Sequence, residues 1–262
     1  MVSLVDELEK VATSIIKIER LYDIFKFVII VPEKDINIFK NKLKFNNKIE
    51  ILNENQVVNK NNFFDLCNIY LKNKKGFKSF RTGWYYQQVI KLTYTLDSKF
   101  FTKHNLVIWD ADTIPLKKIN FFNKKNEPIN YGSFYEYHNP YFEHNKIIFG
   151  EDYKPLNYSS VIQFFALNIE DRKDLRKFLK KFNKRHKIPS SKLFVGDAII
   201  KGIEMKDKNL PITGQLFSEQ ELVGAFIFKK YKRKLKDQKI IKFFRFDVDG
   251  YLNNFQRSIL YF

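Results

Sequence analysis

The sequence predicts an α/β fold with a mostly parallel central sheet flanked by helices. Two short apolar runs, Lys26–Pro32 and Leu106–Trp109, read as strands buried on both faces. Segments of helical spacing separate them, the alternation a parallel sheet requires.

Taken in order, Leu4–Leu21 carries Val5, Leu8, Val11, Ile15 and Ile18 near helical spacing and predicts an amphipathic helix. Phe27–Val31 is β-branched and apolar, and Pro32 stops it. A helix is expected over Asp35–Leu43, a strand over Ile49–Leu52, and helices over Asn61–Leu71 and Gly83–Leu96. Leu106–Trp109 is the second buried strand, and Pro115 follows a polar turn. Tyr131–Tyr137 and Ser160–Asn168 read as strands, Arg172–Phe182 and Gln220–Phe228 as helices, and Ile240–Phe246 as a strand. One domain spanning 1–262 is expected, with residues 1–22 as a helical extension and 229–262 as a basic end.

Composition narrows the function classes. The chain has 262 residues, 44% of them hydrophobic, and a single cysteine. That length buries a core without disulfides. Cys67 has no partner for a disulfide or a cysteine-based zinc site. No apolar run approaches the ~18 residues of a membrane span. Acids appear early in Met1–Glu7 without a basic-then-apolar leader pattern, so a cytoplasmic location is expected.

The net charge of +18 at first suggests nucleic acid. However, 39 of the 47 basic residues are lysine and 8 are arginine. Arginine's planar fork is what specific nucleic-acid readers use. The lysine excess accompanies abundant Asn, Ile, Phe and Tyr, the composition an AT-rich genome writes by default, so no nucleic-acid partner is expected. The local run Lys229–Lys236 fits an anionic membrane surface or a solvated helix end.

The informative charges are negative. In Trp109-Asp110-Ala111-Asp112-Thr113 two carboxylates leave the same face of an extended segment at the end of a buried strand. Such a hard oxygen site suits Mg²⁺ or Mn²⁺ together with substrate phosphates. Asp247-Val248-Asp249 has the same spacing, but Gly250 follows and a turn accounts for it. No glycine-rich phosphate loop occurs, so a nucleotide would be gripped by side chains and metal.

A buried strand ending in Asp-x-Asp, downstream of Phe27–Pro32, resembles the GT-A glycosyltransferases. Three segments resemble, more narrowly, a family of small GT-A transferases of bacterial capsule and lipopolysaccharide synthesis. They are Gly83–Leu92 (GWYYQQVIKL), Ile108–Thr113 (IWDADT) and Phe217–Gly224 (FSEQELVG). The resemblance implies a metal at Asp110 and Asp112 that holds the diphosphate of a nucleotide sugar, foremost a UDP-sugar. It also implies Val31 and Pro32 near the nucleotide base, and a glycan or lipid-linked acceptor. The last histidine is His186, so the C-terminal histidine ligand of many such enzymes has no counterpart.

Other residues extend the candidate site. Inverting transfer needs a carboxylate to take the acceptor hydroxyl's proton. Glu219 or Glu221 fits, with Asp197 as a rival. Ser218 and Glu221 also read as a capping box. Arg81, Gln88 and Lys91, at or on the Gly83–Leu96 helix, are candidates for the donor phosphates. Trp84, Tyr135, Glu136 and His138 are candidates for the sugar pocket. Two other classes share these features: a nucleotidyltransferase or phosphatase on the same carboxylates, and a polyanion- or membrane-surface-binding protein.

Overall fold

The computed structural model describes residues 1–133, 137–189, 193–206, 211–231 and 239–240. Tyr135, Glu136, Asp247, Asp249 and most of the basic run 229–236 lie outside the described residues.

The order is α1 (Leu8–Leu21), β1 (Phe27–Val31), α2 (Ile36–Leu43), β2 (Ile49–Asn53), α3 (Glu54–Val57), α4 (Lys60–Leu71), α5 (Thr82–Leu96) and β3 (Leu106–Trp109). There follow β4 (Tyr131–Gly132), α6 (Asn139–Phe149), β5 (Phe164–Leu167), α7 (Ile169–Arg185), α8 (Phe194–Glu204), α9 (Glu219–Tyr231) and β6 (Lys239–Ile240). The class is mixed α/β, as expected. No described helix is long and apolar enough to cross a membrane.

The sheet departs from expectation. The described strands pair two by two: β1 with β2 parallel, β3 with β5 antiparallel, and β4 with β6 parallel. A continuous apolar run reports burial on two faces and says nothing about strand direction. β3 and β5 contribute aromatic rings to the core on one face. Trp109 stacks on Phe164 at 5.4 Å, and Phe121 meets Phe164 edge-on at 5.4 Å.

Residues 1–22 do not stand apart as an extension. Val2 bridges Ile30 in parallel register, and the Ser3 N–H donates to the Ile30 carbonyl at 3.0 Å. Val11 and Ile15 of α1 are fully buried in a cluster with Ile29, Val31, Trp109 and Phe164. A second cluster gathers α4, α5, α8 and α9 around Phe63, Tyr85, Val89, Ile199 and Phe217.

Three helices arise where none was expected: the single turn α3, α6 and α8. Pro140 sits in the first turn of α6, where its missing N–H costs nothing. In α8, Gly202 allows a close approach, since a Cβ there would lie 2.6 Å from His144 Nε2. His144 is fully buried and Nε2 bonds the Ile199 carbonyl at 3.1 Å. Burial holds its imidazole neutral by lowering its pKa to about 3.

Candidate functional site: an acidic cleft

The chain ends of β3 and the N-terminus of α9 meet the flank of α5 at a cleft of about 300 Å³. Lys91 of α5 is the centre of its charge pattern. Nζ donates to Asp110 Oδ1 at 2.5 Å and to Glu219 Oε1 at 2.9 Å, with the lysine side chain 8% exposed. Burial alone would lower the ammonium's pKa. The two carboxylates outweigh it and hold the pKa raised.

Asp110 is held on both oxygens, because Gln220 Nε2 donates to Oδ2 at 3.0 Å. Its backbone N–H donates to the Gln163 carbonyl at 2.9 Å. Gln163 has φ of 71°, the left-handed region that a non-glycine residue rarely adopts. Gln220 Oε1 accepts from the N–H groups of Ile162 at 2.8 Å and Gln163 at 2.9 Å. One amide thus links a strained backbone segment to the carboxylate at the strand end. Strain of this kind persists only where neighbours over-determine it.

Asp112 differs. It is exposed at the mouth of the cleft, and desolvation followed by the neighbouring Asp110 charge raises its carboxyl's pKa. Glu219 is buried at the first turn of α9, and its N–H donates to Gln88 Oε1 at 3.0 Å. Since that N–H can only donate, Gln88 must face it with its carbonyl oxygen. Trp84 and Gln87 of α5, Tyr141 of α6, Gln215 and Ser218 also line the cleft, and Ser3 and Glu7 close it from the N-terminal side.

The sequence candidates separate clearly. Asp110, Asp112, Lys91, Gln88, Trp84 and Glu219 line the cleft, whereas Val31, Pro32, Arg81, His138, Asp197 and Glu221 do not. Val31 is fully buried in β1. Arg81 lies over the Trp84 ring at 5.4 Å. Asp197 is buried within α8. His138 Nε2 donates to the Gln215 carbonyl at 2.8 Å.

Glu221 turns inward. One carboxylate oxygen accepts from Ser159 Oγ at 2.9 Å and from the Ser160 N–H at 2.8 Å. Burial raises its pKa to about 7 against these bonds. Only half of the expected capping box forms: Ser218 Oγ accepts from the Glu221 N–H at 3.3 Å, and the Glu221 carboxylate goes to Ser159 and Ser160 instead. Glu221 therefore anchors α9 to the 159–160 segment.

Sequence reasoning missed Gln220, Gln163, Tyr141 and Gln215. Gln220 lay inside the recognised Phe217–Gly224 segment, between two acids that drew the attention. Nothing in the sequence marks Gln163, because its role lies in its backbone.

A family of unknown function, DUF6492, matches residues 6–129. The match spans slightly under half of the chain. It includes Lys91, Asp110 and Asp112 and stops short of Glu219. Comparison with curated proteins returned no match, and comparison with solved structures returned none.

Proposed function

We propose that the chain is a metal-dependent, GT-A-type glycosyltransferase that moves a sugar from a nucleotide-sugar donor to a bacterial surface-glycan or lipid-linked acceptor. One observation carries the reading. The three segments that carry the resemblance contribute Lys91, Asp110, Asp112 and Glu219 to a single cleft, although Lys91 and Glu219 are 128 positions apart.

The donor chemistry fits a hard divalent cation. Asp110 and Asp112 supply two carboxylates at the end of β3, and Glu219 is paired with the ammonium of Lys91 beside them. Among the described residues no third His, Cys, Asp or Glu completes a metal cluster, so phosphate and water oxygens would fill the coordination. Mg²⁺ or Mn²⁺ held by Asp110 and Asp112 would neutralise the charge that gathers on a departing diphosphate.

The chain's own residues have distinct parts in this reading. Glu219 takes the proton of the acceptor hydroxyl while its oxygen bonds the anomeric carbon. The anomeric carbon–oxygen bond to the diphosphate breaks, and its electron pair leaves with the phosphate. Lys91 bridges Asp110 and Glu219 and holds the two carboxylates side by side. Trp84 offers an apolar face to a sugar ring. Work at the inner face of the cytoplasmic membrane accords with a lipid-linked acceptor.

The test is calorimetric titration of UDP, GDP and CDP with and without Mn²⁺, on the wild type and on Asp112→Ala. The reading expects one nucleotide to bind only with Mn²⁺ and the variant to lose that binding. Absence of metal-dependent binding for all three nucleotides would sink it. Turnover of a nucleotide without a sugar acceptor would favour a nucleotidyltransferase or phosphatase.

A further inference from the structure

We infer that the cleft accepts donors whose transferred sugar is uncharged and rejects those whose sugar bears a carboxylate. This rests on the glycosyltransferase reading and deepens it.

The charge pattern of the lining carries the inference. The described lining holds four carboxylates, Glu7, Asp110, Asp112 and Glu219, and one cation, Lys91. Both acids that Lys91 touches are already in the site, so its ammonium is spent on them. Glu7 has its own counter-ion in Lys10 at 3.1 Å, and Lys10 is not part of the lining. Arg81 points to the Trp84 ring and stays out of the cleft. A divalent cation would bring the trio Asp110, Asp112 and Glu219, with Lys91, to neutrality. The donor's diphosphate then makes the filled cleft negative again. A sugar carboxylate would enter with no described cation to pair it, in a site where charges interact strongly.

The remaining polar lining is neutral. Gln87, Gln163, Gln215, Ser3 and Ser218 present amides and hydroxyls. Such groups pair with hydroxyl and N-acetyl oxygens without requiring charge. Gln215 is oriented by Tyr141, whose hydroxyl donates to its Oε1 at 2.5 Å. That bond directs the donor end of the Gln215 amide away from Tyr141.

The experiment titrates the full chain, with MnCl₂ present, against two matched pairs: UDP-glucose with UDP-glucuronate, and GDP-mannose with GDP-mannuronate. In the pair whose base is accepted, the uronate should bind at least tenfold more weakly than the neutral sugar nucleotide. Equal affinity, or tighter binding of the uronate, overturns the inference and leaves the glycosyltransferase reading standing. If no member of either pair binds, and UDP, GDP and CDP also fail to bind with Mn²⁺, that reading fails and the inference falls with it.

Discussion

Lys91 is the residue on which the acid end of the cleft depends. It supplies the positive charge that Asp110 and Glu219 share, and all three lie largely out of water. Removing one partner of a buried ion pair costs far more than the intact pair contributes, because the charge left behind is uncompensated. Lys91→Met should therefore lower unfolding free energy by about 3–5 kcal/mol, read by urea denaturation at neutral pH. A loss below about 1 kcal/mol, the worth of an exposed pair, would contradict this arrangement. Glu221 makes a second prediction at the same scale. Its carboxyl ordinarily titrates at 4.5 and in the fold at about 7. Between those values the folded chain holds a proton that the unfolded chain has released. Its contribution is complete below pH 4.5 and is lost as pH rises through 7. His144 acts in the opposite sense. Its ring falls from 6.5 to about 3, so the stability it favours is present above pH 6.5 and lost on acidification. Comparing the wild type with Glu221→Gln isolates the first effect. The wild type should lose roughly 3 kcal/mol relative to the variant between pH 4.5 and 8. A difference that stays flat over that range would show that Glu221 is not held in a desolvated site.

At the scale of elements, the docking of α9 determines whether Glu219 reaches the cleft. Gly224 lies one turn beyond Glu219 and Gln220, where a Cβ would stand 1.9 Å from Ser160 Oγ and 2.4 Å from its Cβ. Gly224→Ala should push α9 off the 159–160 segment, cost about 1–3 kcal/mol and weaken metal-dependent nucleotide binding. Gly83, in the first turn of α5, is the control, because a Cβ there meets nothing within 4 Å. Gly83→Ala should leave binding unchanged and stabilise by about 0.5–1 kcal/mol through helix propensity. Thermal unfolding of both variants checks the pair, and equal destabilisation would contradict the packing argument. The elements also show what the sequence makes legible. α1, α4, α5 and α7 carry uninterrupted apolar stripes, and β1, β2 and β3 are short apolar runs bounded by turns. Their periodicity alone locates them to within a few residues. α8 was obscured because Gly196 and Gly202 interrupt the helical pattern. α6 was obscured because buried His144 and Asn145 replace apolar residues on its inner face. Strand direction was not legible either, since it depends on which run lies alongside.

Across the whole molecule, distant segments become one site through partnerships that no local pattern records. Asp110 and Asp112 could be singled out from the sequence as hard ligands in a basic chain, and Glu219 as a candidate base. Their relation to Lys91 could not, because the contacts cross 19 and 128 positions. Gln163 and Gln220 were likewise hidden, since one acts through its backbone and the other through three simultaneous hydrogen bonds. The +18 net charge also takes on a different meaning at this scale. Positive charge dominates the chain, yet the described lining of its cleft is predominantly acidic. An anionic substrate can settle in such a cleft only in company with a cation. The most direct measurement of the central claim is nucleotide diphosphate binding as a function of Mn²⁺, by calorimetry, on wild type and Asp112→Ala. The account predicts binding of one nucleotide that appears with Mn²⁺, vanishes with chelator and is lost in the variant. Binding that is equally tight without metal, or no binding at any Mn²⁺ concentration, would contradict it.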